Sequence, residues 1–169
     1  MNVIFIGYRG AGKSRRARLL SKRIGREIVS TDLEIEKKEG NIPDLVSKKG
    51  WEYFRMKERE IIKEISLKDK IIIDAGGGAV ISKANAEELK RNGLFIYIEA
   101  GVETLKKRIS KNPKRPALSQ KKADEEIEDI LAQRKPIYEK LADFTEGGDK
   151  SPGESVERII SFLKQKKVL

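Results

Sequence analysis

The stretch GYRGAGKS, residues 7–14, fits the pattern G-x-x-x-x-G-K-[ST]. Glycines at these positions let backbone N–H groups turn inward around a β-phosphate, and the helix that follows adds its positive N-terminal end. Lys13 would reach the β- and γ-phosphates, and Ser14 would ligate magnesium; the alternative is a glycine-rich turn capped by Ser14. Such a loop needs a second acid at the end of another buried strand. KIIIDAGGG, residues 70–78, offers Asp74 there, either near the magnesium shell or as a simple turn cap. Gly76, Gly77 and Gly78 then expose backbone N–H groups at the carboxyl end of a strand, where ligands bind in open α/β sheets.

There is no histidine and no cysteine. A general base must then be a carboxylate, or less favourably lysine or tyrosine, and thiolate or imidazole metal sites and disulfides are excluded. Asp32, in VSTDLEIE, is the leading base candidate, although Ser30, Thr31 or Asp32 itself could act as a helix N-cap there. Arg55, Arg115 and Arg134 stand beside order-promoting Phe54, Pro116, Pro136 and Tyr138, and arginine forks suit carboxylates and phosphates. Arg15, Arg16 and Arg18 read mostly as solvated charges on a helix face, with Arg15 able to add positive potential near the phosphates.

These residues need a scaffold. At 169 residues the chain has the size of one domain with a real core. Apolar runs at 2–6, 27–29, 70–74, 94–98 and 143–145 predict five strands. The runs at 2–6, 70–74 and 94–98 are nearly continuous Ile, Val and Phe, as in parallel strands buried on both faces. Helical stretches are predicted at 12–24, 32–39, 50–66, 82–92, 101–110, 123–140 and 152–166. In the third, Phe54, Ile61 and Ile65 share a face flanked by Ile62. The alternation predicts an α/β fold with a parallel sheet between helix layers. The basic, proline-marked stretch 110–124 reads as a mobile loop. The net charge of +10 suits nucleic acid or a pocket for small anions. No apolar run has the length of a membrane span and no signal-peptide pattern opens the chain, so a cytoplasmic protein is expected.

Taken together, GAGKS, TDLEIEKKEG, GWEYFRMKERE, GGGAV, RPAL and QRKPIYEKLAD closely resemble shikimate kinase, in order and over nearly the whole chain. The phosphate loop alone would indicate only a nucleotide-binding superfamily; the joint FR, GGG, RP-L and R-x-P-x-Y set is far more specific. The resemblance implies transfer of the ATP γ-phosphate to the 3-hydroxyl of shikimate, in the route to aromatic amino acids. It implies a single P-loop domain over 1–169 with a five-stranded parallel sheet, a substrate-binding region near 32–66 and a lid at 110–124. Asp32 matches the acid that holds the shikimate hydroxyls and can take the proton, and Arg55 and Arg134 match the arginines on its carboxylate. Gly77, with Gly76 and Gly78 beside it, matches the substrate-binding glycine, Arg115 the lid arginine, and Arg108 a residue stacking on adenine. Gly148–Pro152 matches the adenine-edge loop less closely. The catalytic set is then Lys13, Asp32 and Arg115. The ATP side is Gly10, Ala11, Gly12, Lys13, Ser14, Arg15, Arg108, Arg115, Ser151 and Pro152, with magnesium near Ser14. A monomer acting on small molecules, without nucleic acid or membrane, is expected.

Two departures stand out. Relatives usually carry threonine where this chain has Arg15. Many carry Asp-x-Asp where this chain has Ser30-Thr31-Asp32, while Asp74 stands where relatives usually carry a small or neutral residue. Asp74 is therefore expected to take over the magnesium-shell role of the acid missing at Ser30, from a neighbouring strand end. Competing readings are a related kinase of gluconate or quinate, and a nucleic-acid-binding P-loop protein.

Overall fold

A computed structural model describes residues 1–111 and 123–169. The most apolar run, NVIFI, forms β1 (Asn2–Ile6) with all five residues buried. The other strands are β2 (Ile28–Ser30), β3 (Ile72–Asp74), β4 (Gly93–Glu99) and β5 (Phe144–Gly147). They pair in the order β2-β3-β1-β4-β5, and every pairing is parallel. Continuous apolar runs and parallel pairing belong together, because helices cover both faces of such a sheet.

Those helices are α1 (Lys13–Ile24), α2 (Thr31–Glu39), α3 (Ile42–Ser66), α4 (Lys83–Lys90), α5 (Val102–Ser110), α6 (Ala123–Leu141) and α7 (Pro152–Gln165). A short 3-10 turn covers Ala79–Ile81. The α/β expectation therefore holds with all five strands, and the boundaries move by one or two residues at most element ends. Most of the expected lid, including Arg115, lies outside the described residues.

One helix begins earlier than expected. Residues 42–49 are helical too, started by Asn41, whose side chain accepts from the Asp44 N–H at 3.2 Å. Gly50, at φ 83°, then breaks the helical backbone before Trp51. A left-handed φ is natural for glycine, so α3 is two helical arms meeting at a bend. The second arm buries Phe54, Ile61, Ile62 and Ile65, the apolar stripe expected from spacing.

Candidate active site

The carboxyl ends of β1, β2 and β3 open onto a cavity of about 510 Å³. Its wall contains Lys13, Ser14, Asp32, Arg55, Asp74, Arg134 and the three glycines 76–78. Residues nominated from distant parts of the sequence thus share one space. Chain geometry accounts for the convergence: in parallel strands all carboxyl ends point the same way, and the loops that follow meet there.

On one side lies the phosphate loop. Gly12 adopts φ 96°, and α1 starts directly after it without a side-chain cap. The first N–H groups of α1 are thereby left for an anion rather than for a capping hydroxyl. Lys13 is buried, and its Nζ donates to the carbonyls of Gly7 at 2.9 Å and Tyr8 at 3.1 Å. The ammonium is held over the loop that it would serve. Arg9 extends from the same loop to Glu126 on α6, at 2.8 Å.

Next to it, β2 and β3 end in register, with Ser30 opposite Asp74. Partners in a parallel ladder stand side by side at one end of the sheet. The expected juxtaposition of Ser30 and Asp74 is thus present, and both residues border the cavity. The capping question is also answered: the Ser30 hydroxyl accepts from the Leu33 N–H at 3.4 Å. Thr31 Oγ1 accepts from the Gly76 N–H at 2.8 Å, tying α2 to the glycine segment. Asp32 lies one residue further on, in the first turn of α2 and on the cavity wall.

The triple glycine works through missing side chains. A Cβ on Gly76 would stand 2.6 Å from Asp32 Oδ1, and one on Gly77 would stand 3.1 Å from the Arg9 backbone nitrogen. A Cβ on Gly78 would overlap the Arg55 guanidinium, with its central carbon only 2.7 Å away. The three positions admit, in turn, an acid, the phosphate loop and a cation. Tyr138, fully buried on α6, donates its hydroxyl to the Gly77 carbonyl. Burial pushes its phenol up to about 12, so it remains a donor. Arg134 stands one turn earlier on α6, with its guanidinium 6.0 Å from the Tyr8 ring centroid.

Sequence reasoning misses Glu58. It is 1% exposed, and its Oε2 accepts from Arg55 at 2.7 Å. Its Oε1 has no hydrogen-bond partner among the described residues. Burial pushes its carboxyl up, while the Arg55 charge and hydrogen bond oppose the rise. A signal is available: Glu58 sits four residues after Phe54 and three before Ile61, inside the apolar stripe. Arg55 is further bracketed by rings, 5.4 Å from the Trp51 centroid and 5.1 Å from that of Phe54.

The far side of the phosphate loop corrects the reading of the basic run. Arg15 and Arg18 are exposed, but Arg16 is only 2% exposed. It turns inward toward backbone carbonyls rather than outward to water. Arg108 donates to the carbonyls of Gly10 and Ala11, both at 3.2 Å, and of Gly148 at 2.9 Å. Ser151 and Pro152 start α7. The Ser151 hydroxyl accepts from the Glu154 N–H at 3.3 Å and donates to Glu154 Oε2 at 2.8 Å, a capping arrangement.

Among the described residues no helix is long and apolar enough to cross a membrane. A family profile described as shikimate kinase matches residues 9–164. A shikimate kinase of Syntrophus aciditrophicus is 38% identical over 173 aligned positions, covering 94% of this chain and 89% of the relative. One from Methylococcus capsulatus is 36% identical over 166, covering 97% and 93%. Among solved structures, the Acinetobacter baumannii shikimate kinase in complex with shikimate superposes with a TM-score of 0.92 at 29% identity, covering 99% of this chain and 95% of that one. The chain belongs to the shikimate kinase family.

Proposed function

We infer that the protein transfers the γ-phosphate of ATP to the 3-hydroxyl of shikimate, giving shikimate 3-phosphate and ADP. The observation that carries this reading is one cavity bordered both by Lys13 and Ser14 of a phosphate loop and by Arg55, Arg134 and the triple glycine. A phosphate donor and a small carboxylated alcohol fit side by side in such a space.

In this reading Arg55 and Arg134 grip the shikimate carboxylate, and Glu58 holds the Arg55 fork in place. Asp32 and the Gly76–Gly78 segment hold the ring hydroxyls. Asp32 accepts the proton of the attacking hydroxyl, since the chain has no histidine to do so. Lys13 stabilises charge on the transferring group, because phosphoryl transfer depends chiefly on positioning and electrostatics. Arg115 is proposed as a further cation on the phosphates. Gly10 to Arg15, Arg108 and the Ser151–Pro152 turn form the ATP side.

The donor set suits magnesium: one hydroxyl at Ser14 and a carboxylate at Asp74, open to a cavity that would also hold phosphate oxygens. When bound, magnesium would neutralise charge on the phosphate oxygens. Ser14 would ligate it directly and Asp74 would hold it through water. The reading requires neither a second subunit nor nucleic acid nor a membrane, and we place the protein in the cytoplasm as a monomer.

A coupled ADP-release assay with shikimate, quinate, gluconate and nucleoside monophosphates tests the proposal. Shikimate should support turnover at least about a hundredfold better in kcat/KM than the others, about 2.7 kcal/mol of discrimination. Equal or better turnover of quinate or gluconate would overturn it. Sub-micromolar, salt-dependent binding to DNA or RNA without shikimate turnover would favour the nucleic-acid reading.

A further inference from the structure

Arg16 is the largest fully buried side chain among the described residues, and the proposed phosphoryl transfer gives it no role. Its guanidinium spans two segments far apart in sequence. Nη1 donates to the Gly12 carbonyl at 3.4 Å. Nη2 donates to the carbonyls of Gly147 and Gly148, both at 3.2 Å, and of Lys150 at 2.7 Å. Gly12 is the left-handed residue that ends the phosphate loop; Gly147 closes β5, and Gly148 and Lys150 lie in the turn that leads to α7. Arg108 makes the same connection from the other side, through Gly10, Ala11 and Gly148.

We propose that Arg16 is a positioning residue for the nucleotide, whose guanidinium welds the phosphate loop to the 147–150 turn and holds that loop in its ligand-binding shape. The proposal rests on the reading of the loop as the ATP site. A glycine-rich loop has much backbone freedom to lose, and any ordering left until binding weakens affinity. A buried planar fork that satisfies carbonyls on both segments removes that freedom beforehand. The close fit supports this: a Cβ on Gly12 would stand 2.6 Å from Arg16 Nη1, and one on Gly148 would stand 2.7 Å from the Ala11 carbonyl. Burial lowers the Arg16 pKa and the neighbouring Arg108 charge lowers it further, while Glu146 opposes. Arginine remains charged under such pressure, whereas a lysine's compact ammonium has no fork to reach both segments.

The test compares wild type, Arg16→Met, Arg16→Lys and Gly148→Ala. Gly148→Ala keeps the guanidinium but forces the turn away from Ala11. Calorimetry measures ADP and shikimate affinity, and hydrogen exchange follows residues 8–12 and 147–150 against the core strands. Arg16→Met should lose about tenfold or more in ADP affinity, as expected for removal of charge-assisted hydrogen bonds. Exchange should quicken at both loop segments and not in β1 or β3, and shikimate affinity should stay within about twofold. Arg16→Lys should rescue little, and Gly148→Ala should weaken ADP in the same way. Should Arg16→Met fail to fold, Arg16→Lys and Gly148→Ala decide. Unchanged ADP affinity in the folded variants would overturn the proposal, as would parallel loss of both ligands with faster exchange throughout the core. A wild type that binds ADP but releases none from ATP with shikimate would defeat the functional reading alone; the ADP and exchange measurements would still decide the role of Arg16.

Discussion

The two flanks of the cavity are built from different materials. On the phosphate-loop flank, cations meet backbone carbonyls: Lys13 on Gly7 and Tyr8, Arg108 on Gly10, Ala11 and Gly148. On the α2–α3 flank, cation meets carboxylate and acid meets glycine: Arg55 on Glu58, and Asp32 against Gly76. Carbonyl contacts shape a loop around any polyphosphate, with one ion pair, Arg9 to Glu126, added to them. Side-chain pairs aimed through missing Cβ atoms define the outline of one small molecule. The donor flank should therefore answer to loss of the cations that hold its carbonyls, Lys13 and Arg16 among them, and the acceptor flank to one methyl group added at the triple glycine.

The largest effect should come from Lys13, the donor-flank ammonium proposed to stabilise the transferring phosphate. Lys13→Met should lower kcat by about a thousandfold or more, with shikimate affinity nearly unchanged. Steady-state kinetics with a shikimate titration checks this, and a loss confined to KM for shikimate would erase the distinction between flanks. Gly78→Ala comes next. The added methyl must displace the end of Arg55, a flexible group, so folding should survive while shikimate KM rises about a hundredfold and ADP affinity holds. Equal weakening of both ligands would break the comparison.

Asp74 stands where the flanks meet. Asp74→Asn should raise the magnesium concentration for half-maximal rate by about tenfold, and Ser30→Asp on that background should recover part of it. An Asp74→Asn enzyme with unaltered magnesium dependence would sink the assignment.

Glu58→Gln should give the mildest change in rate, raising shikimate KM by about fivefold as Arg55 loses its charged anchor. Its effect on stability depends on pH. Burial raises the folded carboxyl above its ordinary value of 4.5, so this group's contribution to stability is complete below that pH and is lost as pH rises through the raised value. Glutamine does not ionise. The melting temperature of Glu58→Gln relative to wild type should thus increase from pH 4 toward pH 8, measured by paired thermal scans; a difference that falls with pH would refute the burial argument.

Much of this architecture is legible in the residues alone. NVIFI followed by GYRGAGKS defines strand, turn and helix at once, because an apolar run, left-handed glycines and a lysine-serine pair leave few alternatives. The IIID run places Asp74 and the glycines after it at a strand end, and the expected nearness of Ser30 is met in the β2–β3 register. Residues 42–49 escape such a reading because they are short and mixed in polarity, and because Gly50 looks like a start rather than a bend. Arg16 and Glu58 escape it for a shared reason. Charged residues are taken as solvated unless a partner is visible, and the partners here are carbonyls some 131 to 134 residues away in one case and a neighbour on a buried helical face in the other. Long-range backbone acceptors leave no trace in local sequence.

The chain contains a single tryptophan, and it sits in the cavity wall beneath the Arg55 guanidinium. Indole emission responds to nearby charge, and a carboxylate arriving on Arg55 would change the field across the ring. The acceptor flank thus contains its own indole reporter, while the carbonyl-lined flank contains no tryptophan. Occupancy of one flank can be followed by intrinsic fluorescence in unlabelled protein, and the order in which the two substrates enter becomes a question for a stopped-flow trace.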